Sequence, residues 1–168
     1  MKKIILLSFI FAVAMMFNSS DVSAQSFEQG DINVGGGIGL GNNTIAGGTG
    51  ITAHAEFGVT EVISVGGYLA FSGTNYLGFR RNSLVIGGRG AYHFNELLTL
   101  PDELDLYAGL GLYYEIVSSD LDGYIGPGNR LLFGVHLGGR YYFTDNIGAF
   151  AELGSAVSVL QLGVTIKL

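Results

Sequence analysis

The chain has 168 residues, a length that suits one domain. Hydrophobic residues make up 48% of it and charged residues only 13%, and the formal net charge is −6, a composition that fits neither a disordered chain nor a nucleic-acid binder. Cysteine is absent, which excludes disulfides, thiolate metal ligands and a cysteine nucleophile. Glycine is abundant, with 28 residues, but the chain has only two prolines and no G-X-Y period, so a collagen-like chain is excluded too.

The N-terminus has the organisation of a secretory signal peptide. Met1-Lys2-Lys3 is a basic start, an apolar run follows over residues 4–17, and Val22-Ser23-Ala24 has the small residues of a cleavage site. The apolar run is shorter than the roughly 20 residues that a membrane-spanning helix needs. The sequence therefore predicts a signal peptide over residues 1–24, export, and a mature domain over residues 25–168.

The mature domain is dominated by alternation of apolar and polar residues with a period of two, which indicates β-strands. The final segment is the clearest, since Leu162, Val164 and Ile166 share one face while Gln161 and Thr165 share the other. Eight such segments occur, each close to the 9–11 residues with which a tilted strand crosses a bilayer. They cover residues 31–40, 51–59, 63–72, 84–94, 104–116, 131–143, 147–154 and 160–168.

The connections between these segments alternate in length. Residues 41–50, 73–82 and 117–130 are long, polar connections, whereas 60–61 and 144–146 are tight turns. Short turns at one end and long loops at the other are typical of outer-membrane barrels. Two connections depart from the pattern, because the one at 95–103 is long where a turn is expected and the one at 154–158 is short where a loop is expected.

The alternation is compatible with a soluble barrel that has an apolar interior or with a membrane barrel that has an apolar exterior. The exterior assignment is favoured because Lys167 is the only lysine after the leader, and because the polar stripe alternates glycine with large polar residues, which fill a narrow interior. Aromatic residues also flank the apolar stripe near the short turns, as in an interfacial girdle: Phe57, Tyr92, Phe94, Tyr141 and Phe143. The predicted fold is all-β, an eight-stranded antiparallel up-and-down transmembrane β-barrel.

The sequence resembles the small outer-membrane β-barrel proteins of Gram-negative bacteria, the porin-family or outer-membrane β-barrel domain proteins. The resemblance covers nearly all of residues 27–168 and is most specific in residues 106–111, 138–146 and 149–154. It implies an outer-membrane location. The last strand also looks like the family's assembly signal, which implies that the barrel-assembly machinery reads it, although Leu168 stands where the family usually has Phe.

Three histidines, His54, His93 and His136, fall on the inward stripe. Together they raise the possibility of a three-histidine metal site. Because His93 lies at the end of its strand and His54 in the middle of another, we expect hydrogen-bonded interior histidines at different heights. The sequence thus predicts no metal and no cofactor.

Six charged residues also fall on the inward stripe: Glu56, Arg89, Asp105, Glu115, Arg140 and Glu152. Charges inside the bilayer slab are costly unless they are paired, so opposite signs should meet. We predict an ion-pair network that includes Arg140–Glu152 and joins Arg89 to Glu56 or Asp105. Its role would be to plug the interior; paired carboxylates for acid–base chemistry are the rival interpretation.

Sequence motifs of catalysis are absent. The glycine run at 35–39 lacks the lysine and the spacing of a phosphate-binding loop, and neither G-x-S-x-G nor H-E-x-x-H occurs. Ser118, Ser119 and Asp120 lie in a predicted loop without a histidine, and Arg80-Arg81 are interpreted as solvated loop charges. No catalytic residue is therefore assigned.

The function predicted is that of an integral outer-membrane barrel without enzymatic activity, structural or surface-interacting, with a plugged polar lumen. The alternatives are a narrow pore for ions or small solutes and a lipid-modifying barrel enzyme. Expected partners are outer-membrane lipid, the barrel-assembly machinery through the C-terminal strand, and extracellular partners through the loops; no nucleic acid is expected.

Overall fold

The computed structural model describes residues 27–76, 79–119 and 128–168, and the predicted leader with its cleavage site lies outside this part of the chain. Eight strands and one short helix, α1 (Asn95–Leu98), make up the described structure. The strands are β1 (Ile32–Asn42), β2 (Gly50–Gly58), β3 (Ile63–Tyr76), β4 (Phe79–His93), β5 (Leu104–Ser119), β6 (Arg130–Tyr142), β7 (Ile147–Gly154) and β8 (Ser158–Lys167).

The strands form a closed barrel in which each pairs antiparallel with the next and β8 pairs with β1. The closing register places Ile38 opposite Leu162, and the Leu168 N–H donates to the Ile32 carbonyl at 2.9 Å. Closure leaves no strand edge unpaired. The predicted fold class is confirmed. Among the described residues, no helix is both long and apolar enough to cross a membrane.

The two ends of the barrel differ, and we name them by their connections. The loop end carries residues 43–49 and 155–157, together with the last residues of β3 and β5 and the first of β4 and β6; the turn end carries residues 59–62, 94–103 and 143–146. The unexpectedly long connection at the turn end contains α1, and the short link before β8 is confirmed.

The predicted loop at 73–82 is wrong, because β3 and β4 extend into this segment, to Tyr76 and from Phe79, and pair with each other there. Gly73 pairs with Asn82 and Asn75 with Arg80, so most of this segment is strand. Likewise β5 extends to Ser119, beyond its predicted end at 116. Strands that project beyond the apolar belt meet water on the outside, so they lose the apolar–polar alternation from which strands are recognised.

The apolar stripe faces outward. Leu69 is 49% exposed and Val164 59% exposed, whereas their neighbours Tyr68 and Thr165 are buried. Near the turn end, the outward Tyr92 packs edge-on against Phe94, with ring centroids 5.2 Å apart. The predicted inside–outside assignment is therefore confirmed.

Glycines make room for large side chains inside the barrel. A Cβ on Gly138 would lie 2.5 Å from the ring of Tyr107, and one on Gly35 would lie 2.4 Å from the imidazole of His54. Any side chain at these two positions would displace a buried ring. Alternation of glycine with large residues is therefore how this narrow interior is filled.

Charged substitutions on the outer face should destabilise the barrel by an amount that depends on how deep in the bilayer the residue lies. Leu69 lies in the middle of β3, and Ile63 begins it at the turn end. We expect Leu69→Arg to lower the free energy of unfolding by about 2–4 kcal/mol and Ile63→Arg by about 0–1 kcal/mol. Reversible urea unfolding in lipid vesicles measures both. Equal losses at the two positions would contradict the outward assignment of this strand.

Candidate functional site

Two buried arginines share one carboxylate at the centre of the barrel. Glu56, on β2, contacts the Arg140 guanidinium of β6 through Oε2. Its Oε1 lies 2.8 Å from Nε of Arg89, which is on β4. Glu56 therefore bridges two guanidinium groups contributed by two other strands.

The chain of ion pairs continues in both directions from this bridge. Arg140 Nη1 donates to Asp105 Oδ2 on β5 at 3.0 Å. Arg89 donates through both Nη atoms to Glu152 on β7, with Nη1 and Oε1 3.2 Å apart. The sequence of contacts is Asp105–Arg140–Glu56–Arg89–Glu152, which we call the ionic chain. It links β2, β4, β5, β6 and β7.

The ionic chain contains three carboxylates and two guanidinium groups, and its side chains are at most 2% exposed. Neutral donors serve the carboxylate of Glu152, since Tyr107 Oη donates to Oε2 at 3.1 Å and Gln161 Nε2 donates to Oε1 at 2.9 Å. The Arg140 guanidinium also lies over the Tyr107 ring, 4.4 Å from its centroid. Such additional contacts are what buried ion pairs need to offset desolvation.

The predicted Arg140–Glu152 pair is wrong. The hairpin has the expected register, with the Phe143 N–H donating to the Ile147 carbonyl at 2.8 Å. However, Arg140 is directly opposite Asp105 on the other neighbouring strand, and this cross-strand partner is nearer than a diagonal one. The guanidinium therefore points toward β5 and β2 rather than β7.

Of the two partners predicted for Arg89, Glu56 is confirmed and Asp105 is not. Arg89 pairs with Glu56 and not with Asp105, and it takes Glu152 as its second partner. All six charged residues that were placed inward are buried, including Glu115. The inward position of each charged residue was predictable from the sequence. Which carboxylate an arginine contacts depends in addition on barrel curvature and side-chain length.

The three histidines do not form a common site, and the described residues contain no group of three or more potential metal ligands. His93 is hydrogen-bonded as predicted. The ring nitrogens of His54 and His136 have no hydrogen-bond partner among the described residues, so for these two the hydrogen bonds stay a prediction. The His54 ring packs edge-on against Phe150, with centroids 5.0 Å apart, and the His136 ring packs edge-on against Tyr107, with centroids 6.1 Å apart.

His93 forms the centre of a serine–histidine–aspartate arrangement at the turn end. Its Nε2 lies 3.0 Å from Ser64 Oγ, and its Nδ1 lies 2.7 Å from Asp105 Oδ1. This is the order of nucleophile, base and orienting carboxylate in acyl hydrolases. Sequence reasoning missed it because the residues come from three strands without a shared motif; their common inward parity was the only signal.

This trio is sealed inside the protein. Ser64 is fully buried, and the ring of Phe27 stacks on His93 with centroids 3.6 Å apart and planes 3° from parallel. The second oxygen of Asp105 is occupied by Arg140. Access of a substrate to this face of His93 would require Phe27 to leave its position.

At the loop end, residues 43–49 fold into the mouth of the barrel. The hydroxyls of Thr44 and Ser72 are 2.8 Å apart, and the Ile45 N–H donates to Glu115 at 2.6 Å. Glu115 also accepts from Arg130 Nε at 2.7 Å. These contacts hold the loop inside the mouth.

Comparison with solved structures identifies the fold. The outer membrane protein OprG from Pseudomonas aeruginosa superposes with a TM-score of 0.67 at 11% identity, covering 88% of this chain and 99% of that one. The N-terminal β-barrel domain of OprF from the same organism gives 0.60 at 16% identity, with coverages of 83% and 98%. Neisserial surface protein A gives 0.55 at 15% identity, with coverages of 82% and 93%.

No protein-family model matches the sequence, and no curated protein matches it either. At these identities the likeness is one of fold, and fold does not determine activity. The chain therefore has the eight-stranded barrel fold that these outer-membrane proteins share.

The ionic chain should be a major determinant of stability. Arg140→Met leaves Asp105 without an arginine and Glu56 with Arg89 alone, and breaking a buried pair in this way costs about 3–5 kcal/mol. Adding Asp105→Asn should recover part of the loss, because it removes the charge that is left without an arginine. Urea unfolding of the two single variants and the double variant measures this coupling; strictly additive losses would contradict it.

Proposed function

We propose that this protein is an integral outer-membrane β-barrel with a closed interior, no catalytic activity, and a structural or surface-interacting role. The single observation that carries the proposal is the ionic chain, which crosses the barrel interior and joins side chains from five strands. The strands around it form a closed barrel. The outward apolar face and the fold shared with outer-membrane proteins support the location.

The closed interior is supported at three heights. Phe27 covers His93 at the turn end, the ionic chain fills the centre, and residues 43–49 occupy the mouth at the loop end. Between the centre and the mouth, a cavity lined by Tyr113 and His136 has a volume of about 10 Å³. That is room for about one water molecule. Eight-stranded barrels of this kind are filled by side chains rather than by a channel.

A surface-interacting role needs exposed segments that can vary without disturbing the wall. Exposed residues at the loop end, among them Gly48, Thr49 and Asn129, provide them, and extracellular partners would bind there. The C-terminal strand, β8, closes the barrel by pairing with β7 on one side and with β1 on the other. This position suits a strand read by the barrel-assembly machinery, while the outward apolar side chains would contact membrane lipid.

A lipid-modifying or acyl-hydrolysing enzyme is the second candidate, favoured specifically by Ser64, His93 and Asp105. Two features of this trio weigh against catalysis. Ser64 is fully buried. It lies on β3, which pairs with β2 and β4, so the backbone N–H groups of this strand serve the barrel wall rather than an oxyanion hole.

In planar bilayers, the protein should produce no steady, discrete openings, because ion pairs and loop 43–49 block the interior. The double substitution Arg89→Ala/Glu152→Ala removes two central side chains of opposite charge and should introduce measurable openings. Single-channel recording compares the two proteins. Stable conductance from the unmodified barrel would favour the pore instead.

A fluorophosphonate probe, which labels activated serines, should not label the folded protein, because Ser64 is fully buried and Phe27 covers His93. Intact mass spectrometry after incubation in detergent micelles detects the adduct, with Ser64→Ala as the matched control. Labelling that disappears in this control and rises in Phe27→Ala would establish the enzyme candidate.

A further inference from the structure

A pocket of about 550 Å³ lies at the loop end, bounded by strands β1 to β4. Its apolar part consists of Ile38, Ile51 and Phe71, which lie side by side because Ile38 pairs with Ile51 and Ile51 with Phe71. All three side chains are exposed on the outside of the barrel. The pocket therefore opens on the face that meets lipid.

The polarity of this face changes abruptly toward the loop end. Asn75, opposite Arg80 across the β3–β4 pair, lies on the same side of β3 as Phe71. Asn75 lies four positions after Phe71 along the strand, a distance of about 13 Å. An apolar floor thus gives way to an amide and a guanidinium over this short length of strand.

Gly73 shapes the pocket between these two parts. A Cβ at Gly73 would stand 2.8 Å from Asn82 Oδ1, so the amide of Asn82 occupies the space beside the glycine. Arg80 Nε in turn donates to that same oxygen at 3.3 Å. The guanidinium is thereby directed over the glycine, above the apolar floor.

Charge is distributed unequally between the two ends of the described structure. At the loop end, the exposed charges in the described ranges are arginines, since the acidic Glu115 is buried and pairs with Arg130. The turn end is acidic, with Lys167 as its basic residue. Its acidic residues are Glu28, Asp31, Glu61, Glu96, Asp102, Glu103 and Asp145.

We infer that this pocket binds a phosphorylated lipid of the surrounding membrane. The headgroup phosphate contacts Arg80 and Asn75, and an acyl chain lies along Ile38, Ile51 and Phe71. The guanidinium fork matches phosphate oxygens, and the apolar floor extends from it in the direction that a lipid tail takes. The inference rests on the proposed function, in which the strands cross the outer membrane with the loop end in its outer leaflet.

The test uses the full mature barrel in nanodiscs that contain phosphatidylglycerol and phosphatidylcholine with identical acyl chains. Native mass spectrometry after release measures which lipid the barrel retains. We expect preferential retention of phosphatidylglycerol, reduced about fivefold by Arg80→Gln, as for one arginine near a charged membrane surface. Arg80→Lys should keep part of the preference.

Two further variants distinguish binding in this pocket from a general attraction of anionic lipid to the positive charge of the loop end. Arg81→Gln removes the same charge from the adjacent position, which faces the other side of β4, and should leave the preference unchanged. Gly73→Val keeps every charge but fills the pocket, and should reduce retention. Heat-modifiable migration on gels verifies that each variant is folded.

The outcomes distinguish the inference from the function on which it rests. Equal losses for Arg80→Gln and Arg81→Gln would overturn the site, and displacement of the retained lipid by inorganic phosphate would overturn the lipid as its occupant. Insertion without any lipid preference would overturn the inference alone. Failure of the barrel to insert would overturn the proposed function as well.

Discussion

The hydrogen-bonding needs of the backbone govern this molecule. A lipid environment offers no partner to an exposed N–H or carbonyl group, so a sheet placed there must close upon itself. In this chain the closure falls between β8 and β1, and it leaves every strand with two neighbours. The outward face can then be hydrophobic, and the charged side chains of the ionic chain are directed to the interior.

The interior, once enclosed, imposes two further requirements, on volume and on charge. Eight strands enclose little space, so Tyr107 fits only because Gly138 lacks a side chain. Charges in that space have little water available, so they must satisfy one another. Glu56 meets this requirement for two arginines at once, and Glu152 is completed by neutral donors.

Much of this organisation could be predicted from the sequence, because the period of two reports directly which side chains share a face. The eight strands, their order and the inward position of Arg140 followed from it. Contacts between inward side chains did not follow, since Arg140 could reach several carboxylates and the alternation carries no information about which one it selects. The extension of β3 to Tyr76 escaped prediction because alternation fades outside the apolar belt. The Ser64–His93–Asp105 trio escaped because it depends on the height of three strands.

The ionic chain has a consequence for how the barrel is built. Its five members come from β2, β4, β5, β6 and β7, and neither strand of the closing seam contributes a charge to it. The costly burial of charge can therefore be completed in a curved, still open sheet. Pairing of β8 with β1 then joins the most distant strands of the barrel, and this long loop closure makes the step slow. The step does not require any further charge to be buried.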